Sequence, residues 1–329
     1  MKILDGIELI DLAVYTTKTL IVTDFHVGYE EVLNKQGFMV PRFQFQEIMK
    51  RLEKIFSRLK NKKVERIIVN GDLKHEFGTI SEQEWRHTLR LLDYFGQHCN
   101  EIILIKGNHD TILGPIAKKR NVKVLEHFII EPIKKLELLR NQRLPSIMRA
   151  SLGKTVKATR GTSLTGNVAY TQYKKTRADG NPSECEDFAT TQKGVPIKKI
   201  SIKNKITKSF KNKKIINKEK NSKNKILVIH GDKMPNKELL KDVFVIIIGH
   251  EHPAVSIKEG PRAELFKAFL VGKWKKYNVI VQPSFNLVVE GTDILKEEVL
   301  SPFLKNNLRN FDAVVVADKL YGFGKLKDL

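Results

Sequence analysis

Five of the nine histidines in this 329-residue chain stand just past short aliphatic runs, each close to another donor able to bind a metal. In order, the stretches are "TDFHVG", "NGDLKHEF", "KGNHD", "IHGD" and "GHEHP". They offer Asp24 and His26, Asp72, Asn108 with His109 and Asp110, His230, and His250 with His252. Carboxylates, imidazoles and a neutral amide are suitable donors for divalent ions. The two cysteines, Cys99 and Cys185, form no metal or redox spacing, so nitrogen and oxygen would have to hold any ion. In extended backbone, residues two apart point the same way, so His250 and His252 are expected to reach one point in space while Glu251 faces away. Every stretch also has an ordinary reading. Asp24 could cap a helix, Asp72 and Asn108 could be turn residues, His230 could be a core histidine, and His250 and His252 could simply be loop histidines. These readings would all have to hold at once, and the repetition of the pattern along the chain argues against that.

Positioning such dispersed side chains requires a sheet whose strands end side by side. "TLIVTD" (19–24), "VERIIVNGD" (64–72), "EIILIKGNHD" (101–110) and "VKVLEHFII" (122–130) read as short strands. Between them, residues 45–60 carry Ile48, Leu52, Ile55, Phe56 and Leu59 at helical spacing. Residues 81–95 open with the capping box Ser81 and Glu84 and then place Trp85, Leu89, Leu92 and Phe95 on one face. Strands resume with "ILVIHGD", "VFVIIIGHEH", "NVIVQPSF" (278–285) and "AVVVADKL" (313–320). Alternation of this kind predicts an α/β core with a crevice at the carboxyl ends of its strands.

The net charge of +22 is concentrated in one segment. Residues 198–225 hold twelve lysines against Glu219 alone, and the 85 residues from 141 to 225 carry +16. Residues 138–225 lack a sustained period and are expected to be a basic, disordered insertion between a domain built from 1–137 and 226–329. A lysine run can hold a polyanion, although a solvated tail is the commoner explanation. "LGKT" lacks the preceding glycine of a phosphate loop, since position 148 is Met, and "NPS" cannot be glycosylated because of Pro182. With neither a long apolar span nor a secretory leader, the expected location is cytoplasmic, with no membrane partner.

The succession D-x-H, G-D, G-N-H-D, H and G-H-x-H resembles the calcineurin-like metallophosphoesterases over most of 18–131 and 226–290. More narrowly, "DFHVGYEEVL", "GDLKHEFG" and "GHEHPA" resemble the Icc-related phosphoesterases of archaea and those encoded beside bacterial DNA-ligase genes. The resemblance implies a four-layer αββα sandwich of two mixed sheets. It implies two divalent ions, one held by Asp24, His26 and His252, the other by Asn108, His230 and His250, with Asp72 as the bridge giving one oxygen to each. It further implies that His109 protonates or stabilises the leaving alkoxide. The expected activity is dinuclear-metal-dependent phosphoester hydrolysis by a metal-bridging hydroxide, on a phosphodiester or nucleic acid. Mn²⁺ is the first choice, with Fe, Zn or Ni as alternatives.

Two departures from the family pattern stand out. Asp232 replaces a second histidine after His230, and His75 occupies the position where the phosphatase branch has an acid that orients the catalytic histidine. Glu76 and Asp110 are the candidates to take over that task, and His75 could contact substrate or be merely exposed. The competing classes are a non-catalytic scaffold of the same fold, which would have lost ligands, and a nucleic-acid-binding protein acting through the insertion.

Overall fold

The computed structural model describes residues 1–4, 6–131, 225–259, 261–305 and 308–329. The expected insertion therefore lies outside the described residues, apart from Lys225, which opens a strand.

A seven-stranded sheet takes the first part of the chain in sequence order. Its strands are β1 (Lys2–Leu4), β2 (Ile7–Ile10), β3 (Ala13–Thr16), β4 (Thr19–Val22), β5 (Arg66–Asn70), β6 (Glu101–Ile105) and β7 (Lys123–Leu125). From β1 to β4 neighbours are antiparallel, and from β4 to β7 they are parallel. The change of direction follows from the connections. Short turns can only reverse the chain, whereas parallel neighbours need a crossover. The crossovers contain α1 (Tyr29–Lys35) and α2 (Gln44–Arg58), then α3 (Glu82–Gly96), then α4 (Gly114–Arg120). On α2 the buried Ile48, Leu52 and Ile55 follow the predicted spacing. Helix α3 starts where expected, because Ser81 Oγ accepts the Glu84 N–H while the Glu84 side chain accepts the Ser81 N–H.

The second sheet is nine-stranded and mixed. It comprises β8 (His127–Ile130), β9 (Lys225–Ile229), β10 (Val243–Ile248), β11 (Pro253–Glu259), β12 (Arg262–Trp274), β13 (Tyr277–Val281), β14 (Thr292–Asp293), β15 (Asp312–Val316) and β16 (Leu320–Lys325). Strands β9, β10 and β13 run parallel, while β8 and β12 pair antiparallel at either side of them. The single strand expected over 122–130 is thus two, since the chain leaves the first sheet after Leu125 and enters the second at His127.

Alternation along the second sheet divides its side chains between two cores. Val228, Val245, Ile247, Phe269, Val271, Ile280 and Val314 face the first sheet and its helices. Their neighbours Leu227, Ile246, Ile248, Ala268, Leu270, Val279, Val281, Ala313 and Val315 face the opposite way. There they pack on Phe303, Leu304, Phe311 and Leu326. Among the described residues Phe303 and Leu304 come from a turn, Phe311 from the bend after one 3₁₀ segment and Leu326 from another, so this side is covered without an α-helix. The result is the expected α/β architecture of two mixed sheets. No helix among the described residues is long and apolar enough to cross a membrane.

Candidate metal centre

Each site residue sits where a strand or crossover turns. Asp24 and His26 follow β4, Asp72 follows β5, and Asn108 and His109 follow β6. From the second sheet, His230 follows β9, and His250 and His252 lie between β10 and β11. The carboxyl ends of five strands from two sheets therefore meet.

Aiming the side chains inward costs backbone strain. Eleven non-glycine residues have positive φ among the described residues, and five of them are Asp24, His26, Asp72, His250 and His252, at 44–64°. Such left-handed conformations cost about 1–3 kcal/mol each and cluster where function over-determines them. This geometry corrects one expectation. His250 and His252 are not extended and do not reach one point, because the left-handed turns separate their rings. The His252 ring packs on His26, with centroids 4.9 Å apart, and the His250 ring on His230, at 5.0 Å.

Among the described residues three donor groups bring ligand atoms within 4.8 Å of one another: Asp24, His26, Asp72 and His252; Asp72, His230 and His250; and His26, His75 and His109. The first two hold the expected ligands. His26 Nε2 lies 3.2 Å from His252 Nε2 and 3.6 Å from Asp72 Oδ2. His230 Nε2 lies 3.1 Å from Asn108 Oδ1 and 3.4 Å from the same Asp72 Oδ2. Donors about 2.1 Å from a shared ion stand roughly 3.0–3.4 Å apart, so these spacings fit. Asp72 Oδ2 faces both groups, and its Oδ1 accepts the His109 N–H at 2.9 Å.

The fit is sharpest at Asp24. Its carboxylate is fully buried; Oδ2 accepts from the Thr23 hydroxyl and the His250 N–H, while Oδ1 has no hydrogen-bond donor. That oxygen lies 3.5 Å from His252 Nε2. A buried carboxylate oxygen without a donor is expensive unless a cation completes it.

Surrounding groups orient the rings. His230 Nδ1 donates to the Asn70 carbonyl at 3.2 Å, which turns Nε2 toward the donor group. Burial alone would push the His230 pKa down, but the Asp72 and Asp24 carboxylates outweigh it and raise it to about 9. His26 behaves oppositely, because burial, reinforced by His252, holds its pKa well below the ordinary value. Glu251 does turn from the rings, and its buried carboxylate accepts the Ser301 N–H at 2.7 Å. Burial raises its pKa to about 7.

The sequence departures now have structural answers. His75 is not simply exposed, because its Nδ1 is 3.2 Å from His26 Nδ1 and its ring packs on Tyr29. Neither candidate acid orients His109. The Asp110 carboxylate accepts the Leu73 and Gly107 N–H groups, and a Glu76 carboxylate oxygen lies 3.6 Å from Lys35 Nζ. The His109 ring instead donates from Nδ1 to the His75 carbonyl at 2.6 Å. Asp232 pairs with Lys233 at 3.7 Å. A backbone carbonyl in this role leaves no mark in sequence, and the one usable signal was the histidine standing at the acid's position.

The pattern defining the calcineurin-like phosphoesterases matches residues 17–280, and the chain belongs to that family of metal-dependent phosphoester hydrolases. Family members use divalent metals, and the His and Asp groups above are the candidates to bind them here. Among solved structures, nuclease MPE of Pseudomonas putida is 12% identical with a TM-score of 0.46, covering 96% of this chain and 94% of its own. Protein AQ665 of Aquifex aeolicus, of unknown function, is 21% identical with a TM-score of 0.24, covering 36% of this chain and 56% of its own. No curated protein sequence matches the chain.

Proposed function

We propose that the chain is a dinuclear phosphodiesterase acting on diesters with aromatic or nucleoside groups, nucleic acid included. Asp24, His26 and His252 would hold one ion, Asn108, His230 and His250 the other, with Asp72 Oδ2 shared. The observation that carries this reading is the position of Asp72 Oδ2, 3.6 Å from His26 Nε2 and 3.4 Å from His230 Nε2. Divalent ions bound there, Mn²⁺ by preference, would supply Lewis acidity for the phosphoryl oxygens and activate the attacking water.

The chain's own residues do the rest. His109 donates from Nδ1 to the His75 carbonyl, so Nε2 is the nitrogen left free, and in the imidazolium form it passes its proton to the departing alkoxide and leaves the neutral Nδ1–H ring. Phe77 supports the preference for aromatic substituents. Its ring centroid lies 3.9 Å from that of His109, yet the side chain remains 52% exposed, which leaves a surface on which a base or aryl group can stack beside the general acid. Tyr29, against His75, extends the aromatic wall.

Purified protein should hydrolyse bis(p-nitrophenyl) phosphate with added Mn²⁺ and stop in chelator. Asp72→Asn should abolish turnover, a loss of at least about 10³-fold, and reduce bound metal by mass spectrometry. An Asp72→Asn protein that keeps the parent rate and two ions per chain would remove the basis of the assignment.

A further inference from the structure

We propose that Glu84 is a positioning residue for His109, acting through the peptide group that joins His75 to Glu76. The inference rests on the general-acid reading of His109 and supplies that ring with the carboxylate its neighbours do not provide.

Glu84 belongs to the capping box of α3, yet the box uses only part of it. One carboxylate oxygen, Oε2, accepts the Ser81 N–H at 3.0 Å, as capping requires. The other, Oε1, crosses to the turn after Asp72 and accepts the N–H groups of Glu76 at 2.8 Å and His75 at 2.9 Å. The Glu76 N–H and the His75 C=O are two ends of one planar peptide group, and in the trans form they point in opposite directions. At its far end that same group accepts the His109 Nδ1–H at 2.6 Å. Carboxylate, peptide and imidazole therefore stand in one hydrogen-bonded line. The carboxylate fixes the peptide plane and polarises its carbonyl, strengthening the bond to His109 by about 10–30% through cooperativity.

The surroundings are shaped for this contact. Glu84 is fully buried, and Gly28 lacks a side chain where the Glu84 Cγ sits, since a Cβ there would come within 2.3 Å of it. Lys74 Nζ, also buried, donates to the carbonyls of His109, at 2.9 Å, and Glu76, tying the two turns together. A cap alone would need none of this.

Ser81 separates the two roles of Glu84. Ser81→Ala removes the hydroxyl that accepts the Glu84 N–H but leaves the Glu84 carboxylate free to hold the 75–76 peptide. The test uses the full chain with Mn²⁺ and two substrates, bis(p-nitrophenyl) phosphate, whose leaving group needs little protonation, and a dinucleotide, whose alkoxide needs much. Glu84→Ala is expected to lower kcat about tenfold on the dinucleotide, less than twofold on the aryl diester, with KM and metal content unchanged; a general acid is worth about 10²–10⁴-fold in all. Ser81→Ala should lower Tm comparably and leave both rates alone. Glu84→Gln, which keeps a neutral acceptor, should recover kcat to within about threefold. Should Glu84→Ala fail to fold, Glu84→Asp, which can cap but is too short to reach the turn, takes its place with the same expectation. In a His109→Ala background the substitution should have no further effect. Equal losses on both substrates, or a Ser81→Ala protein as slow as Glu84→Ala, overturn the proposal. Full dinucleotide activity in His109→Ala overturns the acid role and this inference with it, whereas a slow His109→Ala beside an unaffected Glu84→Ala overturns the inference alone.

Discussion

His26 and His230, one from each half of the proposed centre, are similar donors in opposite electrostatic states. Around Asp24, burial keeps the His26 ring neutral, and a second imidazole, His75, meets its far nitrogen at 3.2 Å. Around His230, two carboxylates overcome burial and hold a proton on the ring up to about pH 9. The first half thus holds a neutral His26 beside an unpaired carboxylate oxygen at Asp24 Oδ1, whereas the second holds a proton on His230 that a cation must displace. Shared geometry does not mean shared affinity. Asp72 belongs to both halves and couples them.

That coupling gives the largest expected effect. A Cβ on Gly107 would lie 2.1 Å from Asp72 Oδ1 and 2.5 Å from the Asp72 backbone nitrogen, whereas one on Gly249 would lie 2.0 Å from Thr23 Oγ1 and 2.6 Å from Asp24 Oδ2. Gly107→Ala should therefore disturb the shared carboxylate and weaken both ions by at least about 100-fold, and Gly249→Ala, which strikes Thr23 and Asp24, should weaken the first ion by a similar factor and the second, held by the adjacent His250, by less. Metal stoichiometry after gel filtration separates them, at near zero against about one ion per chain. Equal stoichiometries would show that the halves are not independent in the way the distances suggest.

A smaller effect, about tenfold for each pH unit, should distinguish the halves in titration. Below about pH 9 the second ion must expel the His230 proton, so its affinity should fall as pH falls, and more steeply than that of the first, where burial keeps His26 neutral. Calorimetry at pH 7.5 in buffers of different ionisation enthalpy should register about one proton released per chain on filling the second half. Stability of the metal-free protein follows the opposite course. The folded His230 pKa lies above its ordinary 6.5, so the contribution is complete below about pH 6.5 and is lost as pH rises through about 9. Buffer-independent heats would mean that the ring is neutral before metal arrives.

How much of this was legible in the sequence depends on the kind of interaction. Strand ends were readable because aliphatic runs stop at polar donors, as at "TLIVTD" and "VFVIIIGHEH". Helix α3 was readable because a capping box is a local spacing. The division of His250 and His252 between two groups was not, since it depends on left-handed φ angles that Asp and His do not announce. Nor was the His109 partner, a carbonyl that every residue possesses. The first strands, β1 to β3, and the long β11–β12 hairpin escaped because their short or mixed runs lack a clean period. The loop after β13 escaped for a different reason, since its role is carried by main-chain donors. Phe285 N–H and Asn286 N–H hold the carbonyls of Thr23 and Asp24 at 3.0 and 2.9 Å.

The smallest expected effect tests how far that support matters to one half only. Gln44, at the start of α2, donates from Nε2 to the carbonyls of Phe25 and His26, at 3.2 and 3.4 Å, and to Asn286 Oδ1 at 3.1 Å. It thereby joins the turn carrying Asp24 and His26 to the loop that grips it from the second sheet, and it touches nothing in the His230 half. Gln44→Ala removes a buried donor and should cost about 1–3 kcal/mol of stability by denaturant titration. Affinity for the first ion should drop only severalfold, because the left-handed turn retains its main-chain bonds to Gly71 and Asp72, and affinity for the second should not move. A parallel loss in both halves would mean that the turn after β4 governs the whole cluster through Asp72, making the bridging carboxylate, rather than strain local to each half, the source of its order.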